Sequence, residues 1–300
     1  MKVLVLGGGD SSEREVSLRS AAMVRSACER LGYYVGYFDP QGRMDQLARV
    51  AQEYDVILPI LHGAGGEDGA VQRLLEQAGR PFLGSGSKAS ELCFNKVRTK
   101  EVIEKHHILT PEWAVVTASA LALARLAQVP FVLKPVDDGS SVDVMIVRQL
   151  PYNTAMAADL FSRHKQMLLE KLIFGVEITV TVLGGKALPI IEIIPPAGAE
   201  FSYENKYNGA TSELCPPRHV SREAQTEAAR VAELAFEVTG ARHLARIDMM
   251  VAPGDEVYFL EINTMPGLTD QSLAPKSAAV AGLKFDRLVA RFIELAVGDK

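Results

Sequence analysis

Two apolar runs of strand length, Val3 to Leu6 and Val56 to Ile60, are each followed by a segment whose apolar residues recur at helical spacing. That alternation constrains the fold most, because strands joined through helices run parallel in one sheet. After the first run, Ala21, Val24, Cys28 and Leu31 share a helical face that Gly32 ends. After the second, Val71, Leu74, Leu75 and Ala78 form an i, i+3, i+4, i+7 stripe closed by Gly79 and Pro81. An N-terminal α/β unit over residues 1–84 follows.

Residues 85–174 read as a central α+β unit, in which a helical segment precedes two strand candidates, Phe131 to Pro135 and Gln166 to Leu172. The turn-rich Asp137-Asp138-Gly139-Ser140-Ser141 follows the first of these strands. Residues 175–300 then carry strands at Val176 to Leu183 and Ala187 to Ile194 and a Gly- and Pro-rich stretch from Pro195 to Pro217. A helix striped by Val231, Leu234, Ala235 and Val238, a hairpin, and a helix striped by Phe285, Leu288, Val289 and Phe292 close the chain.

With 300 residues, 48% of them hydrophobic, the chain can bury a sizeable core in one to three domains. Its 32 basic against 37 acidic side chains give a net charge of −5, so no general attraction to nucleic acid or anionic lipid is expected and any phosphate site must be local. Met1 to Leu6 is too short for a signal peptide, and the longest apolar tract, Ile178 to Pro196, is broken by Lys186 and Glu192, so no membrane segment is expected. Cys28, Cys93 and Cys215 are isolated thiols without metal-ligand spacing, which suits a reducing cytoplasm and argues against structural zinc.

The most informative stretch is Ala245 to Asn263, where two β-runs flank Pro253-Gly254-Asp255-Glu256. A two- or four-residue loop there sets Asp248 opposite Glu261 and Arg246 opposite Asn263, all on one face. Ile247, Met249 and Val251 against Tyr258, Leu260 and Ile262 make the other face, the core side. Two carboxylates and an amide oxygen that converge closely repel one another unless a hard cation joins them, which points to Mg²⁺ with substrate phosphates. A solvated face with an Asp–Arg pair is the competing reading, and a three-residue loop would break the register.

Lys134 ends the apolar run Phe131-Val132-Leu133 just before the Gly139-Ser140-Ser141 turn, whose N–H and hydroxyl groups can cradle phosphate oxygens. Lys171 sits similarly, flanked by Glu170, with Glu177 beyond Gly175. Gly7-Gly8-Gly9 fails the dinucleotide-binding spacing at Ser12. Ser12 and Glu15 have capping-box spacing, with Glu13 at the positive end of the helix. Leu61 to Gly69 places His62 and four glycines after a buried strand, where α/β proteins bind ligands.

Taken together, the motifs resemble the D-alanine:D-alanine ligase family, in order and over almost the whole chain. They are Ser12-Glu13-Arg14-Glu15-Val16-Ser17-Leu18, His62-Gly63 through Glu67-Asp68-Gly69, Lys134-Pro135 with Gly139-Ser140-Ser141, Lys206-Tyr207, Arg246-x-Asp248, Glu261-x-Asn263-Thr264-x-Pro266-Gly267-x-Thr269 and Ser272-Leu273-x-Pro275. The resemblance implies a three-domain ATP-grasp fold, α/β and α+β, that joins two D-alanine molecules through an acylphosphate at the expense of ATP, for peptidoglycan. It implies that Lys96, Lys134 and Lys171 hold the phosphates and adenine side of ATP, with Glu170 and Ile173 by the adenine and Glu177 on the ribose. Asp248, Glu261 and Asn263 would bind two Mg²⁺ ions, or Mn²⁺. Glu13 would take the first D-alanine's ammonium and be linked through Ser140 to Tyr207, with His62 and Lys206 nearby. Arg246 and the Gly267 N–H would stabilise the oxyanion, and Ser272 and Leu273 would fix the second carboxylate. A homodimer through the N-terminal unit is also implied.

Two positions depart from the family pattern: Asp143 and His243 stand where glycine is usual. Asp143 either turns outward harmlessly or weakens ATP binding. Related ligases with another substrate pair such as D-alanine and D-lactate, an inactive ATP-binding paralogue, and, on the glycine run alone, an NAD-dependent oxidoreductase stay open.

Overall fold

The computed structural model describes residues 1–137, 139, 142–196 and 211–298. Its first unit contains β1 (Lys2–Leu6), α1 (Arg14–Arg30), β2 (Tyr34–Phe38), α2 (Leu47–Ala51), β3 (Val56–Pro59) and α3 (Ala70–Ala78). The sheet order is β2-β1-β3, all parallel, as the alternation of runs and stripes requires. Strand β1 is central, which is why Val3 to Leu6 are wholly buried. β2 has no apolar alternation to announce it. Its Gly36 is needed because a Cβ there would fall 2.0 Å from the Tyr54 hydroxyl.

Helices α4 (Ser87–Phe94) and α5 (Lys96–Lys105) lead into an antiparallel sheet of order β4-β7-β5-β6, built from β4 (Trp113–Val116), β5 (Phe131–Pro135), β6 (Met145–Val147) and β7 (Met167–Lys171). Two helices, α6 (Ala118–Leu121) and α7 (Thr154–Arg163), pack on it through Leu121, Ala157 and Leu160. Packing does not follow the chain's segmentation, because Cys93, Ile103 and Ile108 join the core of the larger sheet that follows.

That sheet has order β11-β10-β8-β12-β13 with β9 on β8, from β8 (Val176–Leu183), β9 (Lys186–Ala187), β10 (Ile191–Ile194), β11 (Ser212–Leu214), β12 (Leu244–Val251) and β13 (Val257–Asn263). The expected single strand from Ala187 to Ile194 is therefore two, separated by Leu188, Pro189 and Ile190. Helix α8 (Arg222–Val238) covers one face through Val231, Ala232 and Ala235, and α9 (Leu273–Val280) and α10 (Phe285–Gly298) follow. Leu288, Val289 and Phe292 of α10 pack with Val3, Val5 and Val24, so the chain's end completes the core of its beginning.

The β12–β13 hairpin corrects two expectations. Its loop is the three-residue Pro253-Gly254-Asp255, closed by the Ala252 N–H donating to the Glu256 carbonyl at 2.9 Å, with Gly254 and Asp255 at φ 90° and 66°. It pairs Val251 with Val257 and Met249 with Phe259, one residue out of the expected register. A β-bulge at Asp248/Met249 then takes up Leu260, and beyond it Asp248 faces Glu261 and Arg246 faces Asn263 after all. The core face is consequently Val257, Phe259 and Ile262, whereas Tyr258 and Leu260 leave it. The turn and the bulge shift the register by one residue each in opposite senses, so the pairing of the carboxylates survives a loop of the wrong length.

Candidate active site

A cavity of about 500 Å³ lies between the four-stranded and six-stranded sheets, a size suited to a nucleotide-sized ligand. Lys96, Lys134, Glu170, Lys171, Ile173, Glu177, Asp248 and Glu261 all line it. Five strands, the link between β7 and β8 and a helix start supply them, so no single segment builds the site. Asn263 lies in an adjoining recess with Lys96, Glu67, Gly139 and Glu261. Lys206, Tyr207 and Ser140 lie outside the described residues.

At one wall β7 presents the buried Glu170 carboxylate between two ammonium groups, Lys100 at 2.6 Å and Lys134 at 2.7 Å. Burial pushes the Glu170 carboxyl up, yet the two cations outweigh it and hold it at about 2. Burial opposes the Lys134 charge, but Glu170, then Glu261 and Asp248, raise its pKa overall. Lys100 goes the other way, because burial and Lys134 together exceed the support of Glu170. The sequence reading passed over Lys100. A signal existed: it stands one helical turn from Lys96, on the same face of α5.

At the opposite wall Asp248 is a hub. The Arg246 guanidinium donates to it in a fork, Nε to Oδ1 at 2.9 Å and Nη2 to Oδ2 at 2.7 Å. Thr179 on β8 donates to Oδ1 at 2.6 Å, and the Asn263 amide to Oδ2 at 3.3 Å. Among the described residues no three His, Cys, Asp or Glu side chains converge as a metal cage. The donor set is instead two carboxylates and an amide oxygen paired across the bulged hairpin. It fits a hard cation that completes its shell with phosphate and water, as Mg²⁺ does, and not zinc.

The N-terminal unit reaches the adjoining recess through Glu67. Helix α1 begins at Arg14 with Glu13 as its N-cap and no side-chain cap, so the expected Ser12–Glu15 capping box does not form. Instead the Ser11 hydroxyl accepts the Glu13 N–H at 3.2 Å and donates to the His62 carbonyl at 2.6 Å. The Glu13 carboxylate is buried against Gly63 and Gly139: a Cβ on either would sit 2.8 or 3.0 Å from its Oε2. These two glycines let the loops of two units close over one carboxylate.

The loop after β13 is gripped from the same side. Burial keeps the His62 imidazole neutral. Its Nδ1–H meets the Met265 carbonyl at 3.0 Å, and its Nε2 lies 3.3 Å from the Ser20 hydroxyl, which accepts the Leu268 N–H at 3.1 Å. Glu67 accepts the N–H groups of Met265 and Gly63, each at 3.0 Å, while burial and then Glu13 raise its pKa. Gly267 stands between these anchors, and a Cβ on it would lie 2.7 Å from the Ser272 hydroxyl. Ser272 in turn accepts the Thr269 N–H at 3.0 Å, and Leu273 packs on Ile191 and Ile193. Ser20 had no signal in the sequence, since its partners His62 and Leu268 lie 42 and 248 residues away, and the loop motif gave no sign that Glu67 would hold Met265, 198 residues away.

Both departures from the family pattern have left-handed backbone, with φ 56° at Asp143 and 63° at His243, where glycine is unstrained. The Asp143 carboxylate accepts from Arg163 at 2.9 and 3.1 Å and sits 2.6 Å from His164 Nε2, and Arg163 holds it below the usual carboxylate range. Val142 and Val144 line the cavity, and Asp143 between them does not. Asp143→Gly should therefore change the ATP Michaelis constant less than about twofold, because its charge is already paired with Arg163 and lies off the cavity lining. A several-fold drop on steady-state titration would show that the charge reaches the phosphates.

A family model described as D-ala D-ala ligase N-terminus matches residues 38–85, and one described as D-ala D-ala ligase C-terminus matches residues 102–294. The D-alanine–D-alanine ligase of Nitratidesulfovibrio vulgaris is 41% identical, covering 99% of this chain and 98% of its own length. That of Oleidesulfovibrio alaskensis is 40% identical over 99% and 97%. The structure of the Bacillus anthracis D-alanine–D-alanine ligase complexed with ATP superposes with a TM-score of 0.85 at 30% identity, over 99% of this chain and 98% of that one.

Proposed function

Because the chain belongs to the D-alanine:D-alanine ligase family, we propose that the cavity between its two antiparallel sheets binds ATP and that the adjoining N-terminal wall binds two D-alanine molecules. The family reaction is the ATP-dependent joining of two D-alanines for peptidoglycan. A carboxylate is a poor acyl donor, so the γ-phosphoryl group of ATP is first transferred to it, and the amine of the second D-alanine displaces phosphate from the acylphosphate. The observation that carries the reading is one cavity lined by Lys96, Lys134 and the carboxylates of Asp248 and Glu261.

In this reading Lys96 and Lys134 hold phosphate oxygens, Lys171, Ile173 and Glu170 border the adenine, and Glu177 takes the ribose hydroxyls. Asp248, Glu261 and Asn263 are the residues that would hold two Mg²⁺ ions, which neutralise charge on the transferred group. Glu13, against which Gly63 and Gly139 pack closely, receives the ammonium of the first D-alanine. His62 borders that substrate through the loop it braces. Arg246 and the Gly267 N–H face the developing oxyanion, and Ser272 with Leu273 receives the second carboxylate. By family likeness Glu13 would be linked through Ser140 to Tyr207, with Lys206 beside it, and closure over the substrates would exclude water from the acylphosphate. A cytoplasmic homodimer is part of the proposal, supported by family likeness and by three unpaired cysteines.

Incubating the protein with Mg-ATP and D-alanine should yield D-alanyl-D-alanine, ADP and phosphate in equal amounts by mass analysis. ATP turnover without amino-acid dependence would exclude the ligase. Dipeptide from another amino-acid pair, or an ester with D-lactate, would reassign the substrates.

A further inference from the structure

Lys100 is a wholly buried side chain that lines neither the cavity nor its adjoining recess, yet its ammonium lies 2.6 Å from Glu170, the carboxylate that also pairs with Lys134 at 2.7 Å. Its remaining partner is the Thr110 hydroxyl, which donates to the Phe259 carbonyl at 2.9 Å and so ties the end of α5 to the hairpin. A fold needing only an apolar anchor here would be served by methionine, since buried ion pairs add little net stability. The charge balance is more telling. Glu170 alone would cancel Lys134, whereas with Lys100 present one carboxylate serves two cations and one positive charge is left over.

We infer that Lys100 is a positioning residue for the phosphates of the nucleotide: it neutralises Glu170 from behind and so leaves the Lys134 charge available on the cavity side. This rests on the cavity being the ATP site. Glu170 thereby keeps its place in the wall without drawing Lys134 out of service. Lys134 also feels the negative Glu261 and Asp248 across the cavity, so without Lys100 it would face three carboxylates with the Glu170 charge no longer shared.

The test is calorimetric titration of the full chain with ATP and, separately, with adenosine, which lacks phosphates. Lys100→Met should weaken ATP about tenfold, the scale of one charge acting over several Å at intermediate dielectric, and leave adenosine within about twofold. Adding Glu170→Gln to Lys100→Met removes the charge that captures Lys134, and the preference for ATP over adenosine should return to near the wild-type ratio. Equal weakening of both ligands with no recovery in the double variant would make Lys100 a tether of α5 and overturn the inference. Lys134→Met is the control for the underlying reading: if it binds ATP as tightly as wild type, the cavity is not the phosphate site. If Lys134→Met weakens ATP and Lys100→Met does not, only the inference falls. Should Lys100→Met fail to fold, the double variant decides alone, since it buries no additional unpaired carboxylate: a wild-type ratio supports the inference and a tenfold lower one refutes it.

Discussion

Asp248→Ala is expected to lower kcat by ~10³-fold or more, because metal-borne charge stabilisation in phosphoryl transfer is worth several kcal/mol at about 1.4 kcal/mol per tenfold. The fold should persist. The carboxylate points from β12 into the cavity, away from the Ile247 and Met249 side that packs in the core. Among the described residues Arg246, Thr179 and Asn263 donate to it, and each can turn to water or to ligand once it is gone. Asp248→Asn keeps the shape and removes the charge, so a comparable loss in that variant isolates the charge as the cause. Near-normal ADP release from either variant, with an unchanged circular dichroism spectrum, would end the role assigned to this hairpin.

Arg246→Ala should cost ~10²- to 10³-fold in kcat, the usual consequence of removing one donor to a developing oxyanion. The ATP Michaelis constant should move far less, because Arg246 does not line the nucleotide cavity. A second signature separates this from general damage. If the guanidinium stabilises the addition of the amine, its loss leaves the acylphosphate waiting, and water competes for it. ADP should then exceed dipeptide in the variant and match it in the wild type. Stability should fall too, since the Asp248 side chain is only 12% exposed and loses its fork, an uncompensated buried charge being costly. Arg246→Lys keeps the charge without the planar pair of donors and should recover only part of the rate. Matched ADP and dipeptide in Arg246→Ala would assign the residue to holding Asp248 alone.

How far the sequence could be read is clearest where periodicity was strong. The stripes Ala21-Val24-Cys28 and Leu288-Val289-Phe292 lie in the core, and Phe131 to Pro135 and Val176 to Leu183 are strands. Burial of one face imposes such patterns on the residues themselves. Tyr34–Phe38, Trp113–Val116 and Met145–Val147 carried no such pattern, being short strands on the edges of their sheets. The hairpin is instructive because its carboxylates meet for a reason the alternation could not show: a three-residue turn shifts the register and the bulge at Leu260 shifts it back.

By itself the chain determined the parallel N-terminal sheet, the helices that cover the N-terminal and six-stranded sheets, and most of the lysines and carboxylates of the candidate site, Lys100 excepted. Local propensity and side-chain period are properties of neighbouring residues, so neighbours suffice to reveal them. Tertiary structure alone decided which charges face which. Lys100 and Glu170 are seventy positions apart, and Glu67 and Met265 nearly two hundred. The energy of a buried charge depends on its distance from every other charge and on how much water reaches it, and neither is a property of the segment that carries it.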